Sequence, residues 1–344
     1  MNQPGFVLRR RLLLAAAATG GLCAATRPAA ASSPRLLRLG IGLPADSIQG
    51  RAVQDFAQRV ERYTDGALRI ELHAGGKLGN DLSMVQALRD GTLEMTAPDS
   101  STLARLNAGF SAINYPFTFF EEAEADTILD GAWGRRQLDS LVPHGLVGLA
   151  YWENGFRHMT NSLRPIAQAS DFQGVRLRTM QNDMLVDSFR RLGFEAVPMP
   201  FPQVFEALKS KAVDGQENPL PTILASRFHE VQKYLTLSRH VYSAHVLLIS
   251  RRHWEALSAA QRVALRRAAG ESRDLERRWS REAAGHALAA LRERGMQVSS
   301  IPRQDAERIR HRLRDVFDKY NRQIGAAEVV ELYVELGRLR TSGR

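Results

Sequence analysis

From Leu36 onward, short apolar runs of strand length alternate with amphipathic runs of helix length, and this alternation constrains the fold more than any single motif. It predicts an α/β protein in which helices pack on the faces of a sheet. Leu36 to Leu43 reads as a first strand. Val53, Phe56, Ala57, Val60 and Tyr63 follow at helical spacing, with Gly66 as the helix stop. Leu68 to Leu72 alternates as a strand, and Asn80 is placed to cap a helix that carries Met84, Val85 and Leu88 and ends at Gly91. Leu146 to Trp152 and Val175 to Thr179 read as further strands. Pro202 to Lys211 reads as a helix opened by proline.

Two features call for more than one lobe. Tyr234 to Ser250 is β-prone over a length well beyond an average strand, and suits a segment that passes between two sheets. Ser258-Ala259-Ala260-Gln261 is a capping box that opens a helical pattern running to about Arg294. Such a helix would extend roughly 50 Å, enough to lie across two lobes. Gly270 and Gly285 are candidate bends or interruptions in it. Met296 to Ile301 and a helix from about Gln304 to Asn321 finish the expected core, and Thr341 to Arg344 are expected to be disordered. The expected organisation is lobe I from 32–154 plus 244–283, lobe II from 155–243 plus 284–335, and a C-terminal tail at 336–344.

Residues 1–31 read as a signal peptide. Arg9, Arg10 and Arg11 form a basic start, Leu12 to Ala18 is a short apolar run, and Ala29-Ala30-Ala31 precedes Ser32, which makes Ala31 the last residue removed. The apolar run falls far short of the roughly 20 residues that span a bilayer. Consecutive arginines followed by leucines suit a twin-arginine signal and an ordinary Sec signal alike, so the export route stays open. Leu22 stands where a lipoprotein signal carries a small residue before its cysteine, so a soluble, unanchored product is expected. Cleavage removes Cys23, the only cysteine, and with it any disulfide or thiol chemistry. It also removes four arginines, taking the formal net charge from +10 to +6. The remaining basic residues are interspersed with acidic ones and form no basic arm, so nucleic acid is not an expected partner.

Enzyme signatures are missing. Gly75-Gly76-Lys77-Leu78-Gly79 lacks the Gly-Lys-Ser/Thr ending of a phosphate loop and reads as a turn. No histidine pair has zinc spacing, and no Gly-x-Ser-x-Gly elbow occurs. No catalytic residue, metal or cofactor is nominated. Arg178 is the more informative residue. Val175 and Leu177 share one strand face and Arg176 and Arg178 the other, which puts Arg178 near the carboxyl end of a strand, where open α/β sheets place ligands. A guanidinium there can hold a carboxylate through two parallel hydrogen bonds. A solvated arginine or a structural ion pair is the competing assignment.

Several motifs around Arg178 agree in order and spacing with one family. They are Gly155-Phe156-Arg157-His158-Met159-Thr160-Asn161, Asp171-Phe172-Gln173-Gly174-Val175-Arg176-Leu177-Arg178, Pro198-Met199-Pro200-Phe201, Val213-Asp214-Gly215-Gln216-Glu217-Asn218-Pro219 and Glu230-Val231-Gln232-Lys233-Tyr234. From about Leu36 to Asn321 the chain resembles the solute-binding subunits of tripartite ATP-independent periplasmic (TRAP) transporters, of the dicarboxylate-binding-protein type. The Asp-Gly-Gln-Glu-Asn-Pro block is the most specific piece.

The resemblance implies a two-lobed periplasmic-binding-protein-like fold that closes around a small organic acid, a C4-dicarboxylate or a sugar acid among the candidates. It implies no turnover, a periplasmic location, a monomer, and delivery to the small and large membrane subunits of a transporter driven by an ion gradient. A periplasmic sensor presenting its closed form to a membrane receptor kinase is the alternative. By the same resemblance Arg178 is the principal carboxylate-binding arginine, Arg157 a second arginine at the carboxylate, Asn218 an asparagine that helps hold it, and Phe201 an aromatic packed against the ligand. The competing assignments are an ion pair across the hinge for Arg157, a turn cap for Asn218 and core packing for Phe201. Pro202, where the family often has Ser or Gly, and Lys209-Ser210-Lys211, in place of Gln-Thr-Gly, depart from the pattern. Candidate distal contacts lie at Leu43 to Gln49, at Asp99 to Thr102 and at Tyr242.

Overall fold

The computed structural model describes residues 33–342, so the signal peptide and Cys23 lie outside the described residues. Strands β1 (Arg35–Gly40), β2 (Leu68–His73), β3 (Met95–Thr96), β4 (Leu146–Asn161), β5 (Arg176–Thr179), β6 (Glu195–Pro198), β7 (Gly215–Pro219), β8 (Tyr234–Ser250) and β9 (Gln297–Ser300) belong to one mixed sheet. Its order is β2-β1-β3-β8-β4-β7-β5-β6, with β9 beside the start of β8. Each end of the sheet is a parallel unit, and each contains a β–helix–β crossover. Helix α1 (Ile48–Tyr63) links β1 to β2, and a helix at Asp183–Leu192 links β5 to β6.

The long antiparallel pair β4 and β8 joins the two ends. The last part of β8 pairs with β3, and the last part of β4 pairs with β7, so each strand runs through both halves of the fold. The sequence reading of β8 therefore holds from Tyr234 to Ser250. The reading of β4 as Leu146 to Trp152 stops nine residues short of Asn161. Beyond Trp152 the strand carries Glu153, Asn154, Arg157 and His158, all buried, and these polar residues hide the alternation that marks a strand. Register shifts at Gly148/Ala150, Glu153/Gly155 and Arg157/Met159 interrupt the ladder. Gly155 has a φ of 104°, a left-handed value that a side chain would oppose, and so makes the middle shift possible.

Alternate residues of the central strands feed different cores. Val246 and Leu248 join Met84, Phe110, Ile128 and Trp133 on one face, while Leu247 and Ile249 join Phe56, Val60 and Leu265 on the other. At the opposite end of the sheet, Leu177, Phe189 and Phe317 form a third core, and Val204, Ile223 and Leu291 a fourth. The helix Ala259–Glu293 contributes Leu265 and Ala268 to a core of the first half and Ala287 and Leu291 to a core of the second. Ser258 closes its capping box, with Gln261 N donating to Ser258 Oγ at 3.2 Å and Ser258 N to Gln261 Oε1 at 2.9 Å. Gly270 and Gly285 do not interrupt it into separate helices, because tertiary packing on both sides outweighs about 1 kcal/mol of helix propensity per glycine. The result is the expected two-lobed α/β fold, in which the described residues from Pro34 onward pack as one compact unit.

Most local readings hold. Asn80 caps helix α2 (Asp81–Asp90) by accepting from Ser83 N, and Gly91 ends it in a left-handed conformation. Three need correction. The segment Pro202 to Lys211 begins as a short 3-10 turn at Phe201–Gln203 before the helix Val204–Lys209. The helix expected from Gln304 to Asn321 is two helices, Arg303–Arg312 and Arg314–Ile324, broken at Leu313, which turns fully into the core. The expected tail from 336, including Thr341, lies in a helix, Ala326–Ser342, in which Leu332 and Leu336 are fully buried beside Trp133. Burial of those two leucines fixes the segment against the core.

Candidate functional site

A cleft gathers residues from both halves of the sheet. Gly42, Leu43, Asp81 and Asp99 come from the β1–β3 side, Arg178, Met199, Phe201 and Asn218 from the β5–β7 side, and Asn154, Arg157 and His245 from the central strands. The four residues singled out in the sequence, Arg178, Arg157, Asn218 and Phe201, thus line one cavity. Leu43, Gln49, Asp99 and Thr102 line it too, as expected of distal contacts. Tyr242 does not. Its ring packs edge-on to Phe119 and Phe156, and its hydroxyl donates to Glu153 Oε2 at 3.3 Å, so it is a core residue.

Arg178 is 2 % exposed. Its neighbour Leu177 turns into the core, and the solvent-exposed Arg176 pairs with Asp214 at 2.5 Å. Arg178 donates Nε and one Nη2 hydrogen to the Met199 carbonyl at 3.0 and 2.7 Å, which fixes the plane of the guanidinium. The Phe201 ring lies 5.9 Å from Cζ and supports the cation from the side. Nη1 is buried without a partner. Burial, opposed by Glu217, pulls the Arg178 pKa down to about 10, so the side chain stays cationic at neutral pH. A buried cation with unused donors is costly unless an anion completes it.

Arg157 is held differently. Its Nε and Nη2 grip the Glu217 carboxylate as a fork, Nη2 also donates to the Glu217 carbonyl at 2.5 Å, and Nη1 reaches Ser243 Oγ at 3.4 Å. His240 Nε2 stands 3.3 Å from Glu217 Oε2. Burial alone would favour a neutral Glu217, but Arg157 and then His240 overcome it and hold the carboxyl at about 2. The positive charge of Arg157 is therefore already paired inside the protein, whereas Arg178 forms no ion pair and feels Glu217, Asp81 and Asp99 only at longer range. Asn218, on β7 opposite His158, donates Nδ2 to Gln216 Oε1 at 2.6 Å and presents its amide to the cleft as a strand residue.

Sequence reasoning missed Asp81, Asn154 and His245. Asp81 looked like an ordinary acid in the first turn of a helix after its cap. Asn154 immediately precedes a recognised motif but lies in the unread part of β4. His245 sits in a strand that was recognised, and its facing is set by pairing: the Asp99 backbone bridges to it. Burial holds the His245 ring neutral, with a pKa lowered to about 4.

Residues 39–323 match the family model described as bacterial extracellular solute-binding protein, family 7. The chain belongs to that family. It is a TRAP-type solute-binding protein, and no helix among its described residues is long and apolar enough to cross a membrane. It is similar to a solute-binding protein of Verminephrobacter eiseniae, with 34 % identity over 88 % of this chain and 90 % of that one. It is also similar to the 2,3-diketo-L-gulonate-binding periplasmic protein YiaO of Escherichia coli, with 32 % identity over 86 % and 90 % of the two chains. Among solved structures, the sugar acid binding protein DctPAm of Advenella mimigardefordensis, in complex with galactonate, superposes with a TM-score of 0.87 at 39 % identity, over 89 % of this chain and 99 % of that one.

Proposed function

We propose that this solute-binding protein captures a small carboxylate in the cleft, with Arg178 as the anchor, and delivers it without chemical change to the small and large membrane subunits of a TRAP transporter. The observation that carries the reading is the buried Arg178, fixed by Met199 and left with an unpartnered Nη1 in the cavity. Arg157, clamped by Glu217, lines the cavity as a fixed hydrogen-bond donor beside that carboxylate, Asn218 donates beside it, and Phe201 covers it. The relatives named for a diketogulonate and seen with galactonate support an acid ligand.

The topology supports a two-lobe working cycle. Residues 32–154 with 244–283, and 155–243 with 284–325, act as the two lobes, the expected lobe II boundary at 335 giving way because Leu332 packs into the first lobe, and the register shift at Glu153/Gly155 lies at their junction. Closure expels water and strengthens the arginine–carboxylate attraction, and a ligand favours closure by its greater affinity for the closed form. The protein works as a periplasmic monomer after removal of residues 1–31.

The test is thermal unfolding of residues 32–344 with C4-dicarboxylates, sugar acids, aromatic acids and keto acids, with neutral analogues as controls. A ligand at about a hundred times its Kd adds roughly 2.7 kcal/mol of stability. An acid that stabilises wild type and leaves Arg178→Ala unchanged supports the reading. Acids that stabilise Arg178→Ala as much as wild type, or a panel in which only neutral compounds act, refute it.

A further inference from the structure

Besides Arg178, the cleft holds a second charged feature of opposite sign, which carboxylate capture by Arg178 does not use. Asp81 and Asp99 both line the cavity from the β1–β3 side, and they are held against one another: Asp99 N donates to Asp81 Oδ2 at 3.0 Å. The remaining contacts of Asp99 are with neutral donors, Ser101 N on Oδ1 at 2.9 Å and Asn154 Nδ2 on Oδ2 at 3.3 Å. Its nearest cation is Arg157 Nη1 at 4.0 Å, and that guanidinium is already committed to Glu217. Burial raises the Asp81 carboxyl to about 6, opposed by the Asp99 N–H and by the charge of Arg178.

His245 stands beside the pair, its backbone bridged to Asp99. It lines the same cavity, is 7 % exposed, and its Nδ1 is buried without a partner. A buried polar atom left unpaired at a cavity wall is a place for a ligand group. Asn154 and His245 contribute neutral polar groups, and the carboxylates contribute acceptors.

We infer that this acidic side of the cleft, formed by Asp81, Asp99, Asn154 and His245, reads hydroxyl groups and makes the site selective for a polyhydroxylated monocarboxylate over a dicarboxylate. The inference rests on the carboxylate reading of Arg178. With the ligand's acid on Arg178, its remaining atoms reach the β1–β3 side. Hydroxyls there donate to carboxylate oxygens and accept from or donate to His245, both of which neutral polyols do well. A second ligand carboxylate would meet these two acids, with the two lining arginines already engaged, Arg157 by Glu217 and Arg178 by the first carboxylate. Discrimination here works by repulsion as well as by attraction.

The probes are matched pairs that differ only at the end remote from the anchored acid: galactonate against galactarate, and gluconate against glucarate, with succinate as a short diacid. Calorimetric Kd values are measured at pH 7.5 on wild type, Asp81→Asn, Asp99→Asn and Arg178→Ala. In wild type at least one aldonate should bind about 100-fold or more tighter than its diacid partner, the scale expected where a site's buried polar groups are left unpaired or opposed. Each Asn variant should weaken the aldonate about tenfold or more and narrow the gap to its diacid, since it removes a charge and keeps the shape.

The wild-type ratio is read without any variant, so misfolding of a variant cannot hide the answer. Galactarate, glucarate or succinate binding within about threefold of every aldonate, with all binding lost in Arg178→Ala, overturns the hydroxyl-reading inference and leaves the carboxylate reading intact. An unchanged aldonate-to-diacid ratio in both folded Asn variants also overturns it. Failure of every acid to bind wild type, or acid binding that survives Arg178→Ala, defeats the carboxylate reading itself and the inference with it.

Discussion

Glu217→Gln tests the electrostatic account of the site through stability alone. In wild type the Glu217 carboxylate, 1 % exposed, is forked by Arg157 and approached by His240. Its pKa of about 2 against an ordinary 4.5 means that the fold favours the charged form. That difference of roughly 2.5 units at about 1.36 kcal/mol per unit amounts to about 3 kcal/mol at neutral pH. The figure agrees with the 3–5 kcal/mol that removing one partner of a buried ion pair typically costs, because Arg157 would keep its charge with only Asp99, 4.0 Å away, to answer it. At about 2.1 cal/mol/K of unfolding entropy per residue over roughly 310 residues, such a loss lowers Tm by about 5 °C.

The pH dependence gives a second check. A depressed carboxyl pKa stabilises the fold above the unfolded value of about 4.5 and loses that contribution as pH falls toward about 2. The gap between wild type and Glu217→Gln, followed by scanning calorimetry, should therefore be full at pH 6–7 and fall to roughly half or less by pH 3. A variant that melts within about 1 °C of wild type at pH 7 would refute the reasoning, because Arg157 would then not depend on Glu217 for its burial. A gap that widens below pH 4.5 would refute it from the other side.

Three further outcomes follow. His158 is buried beside His240 and Arg239, and burial lowers its pKa to about 3, so the folded protein keeps it neutral while the unfolded chain protonates near 6.5; stability is lost as pH falls from about 6.5 toward 3, and His158→Gln should remove about 3 kcal/mol of that loss by pH 4 in denaturant titrations. Gly270→Ala and Gly285→Ala, whose new methyls meet nothing within 4 Å, should each stabilise the long helix by up to about 1 kcal/mol, seen as a rise in the urea midpoint without a change in slope. Gly134→Ala should do the reverse, since its methyl would lie 2.0 Å from the Leu129 carbonyl oxygen; a loss of about 2 kcal/mol or more is expected, and an unchanged midpoint would mean that the helix start at Ala132 is free to move.

The sequence by itself determined the local elements and their class. The α/β alternation, the Asn80 and Ser258 caps, the length of β8 and the strand that carries Arg178 depend on interactions within a few residues, so they can be read in one dimension. It also nominated Arg178, Arg157, Asn218 and Phe201, because their motifs carry a recognisable order. Only the tertiary structure decided what those residues do to one another. That Arg157 is paired with Glu217 while Arg178 forms no ion pair follows from the pairing of β4 with β7, residues some sixty positions apart.

The extension of β4 to Asn161 and the burial of Leu332 and Leu336 were likewise settled by partners that periodicity does not register. Asp81, Asn154 and His245 came together because the helix cap, the register shift at Gly155 and the facing of β8 converge on one cavity. Their residue types are unremarkable in sequence, and their chemistry comes from sharing a space with little water, where a charge is costly unless another group answers it.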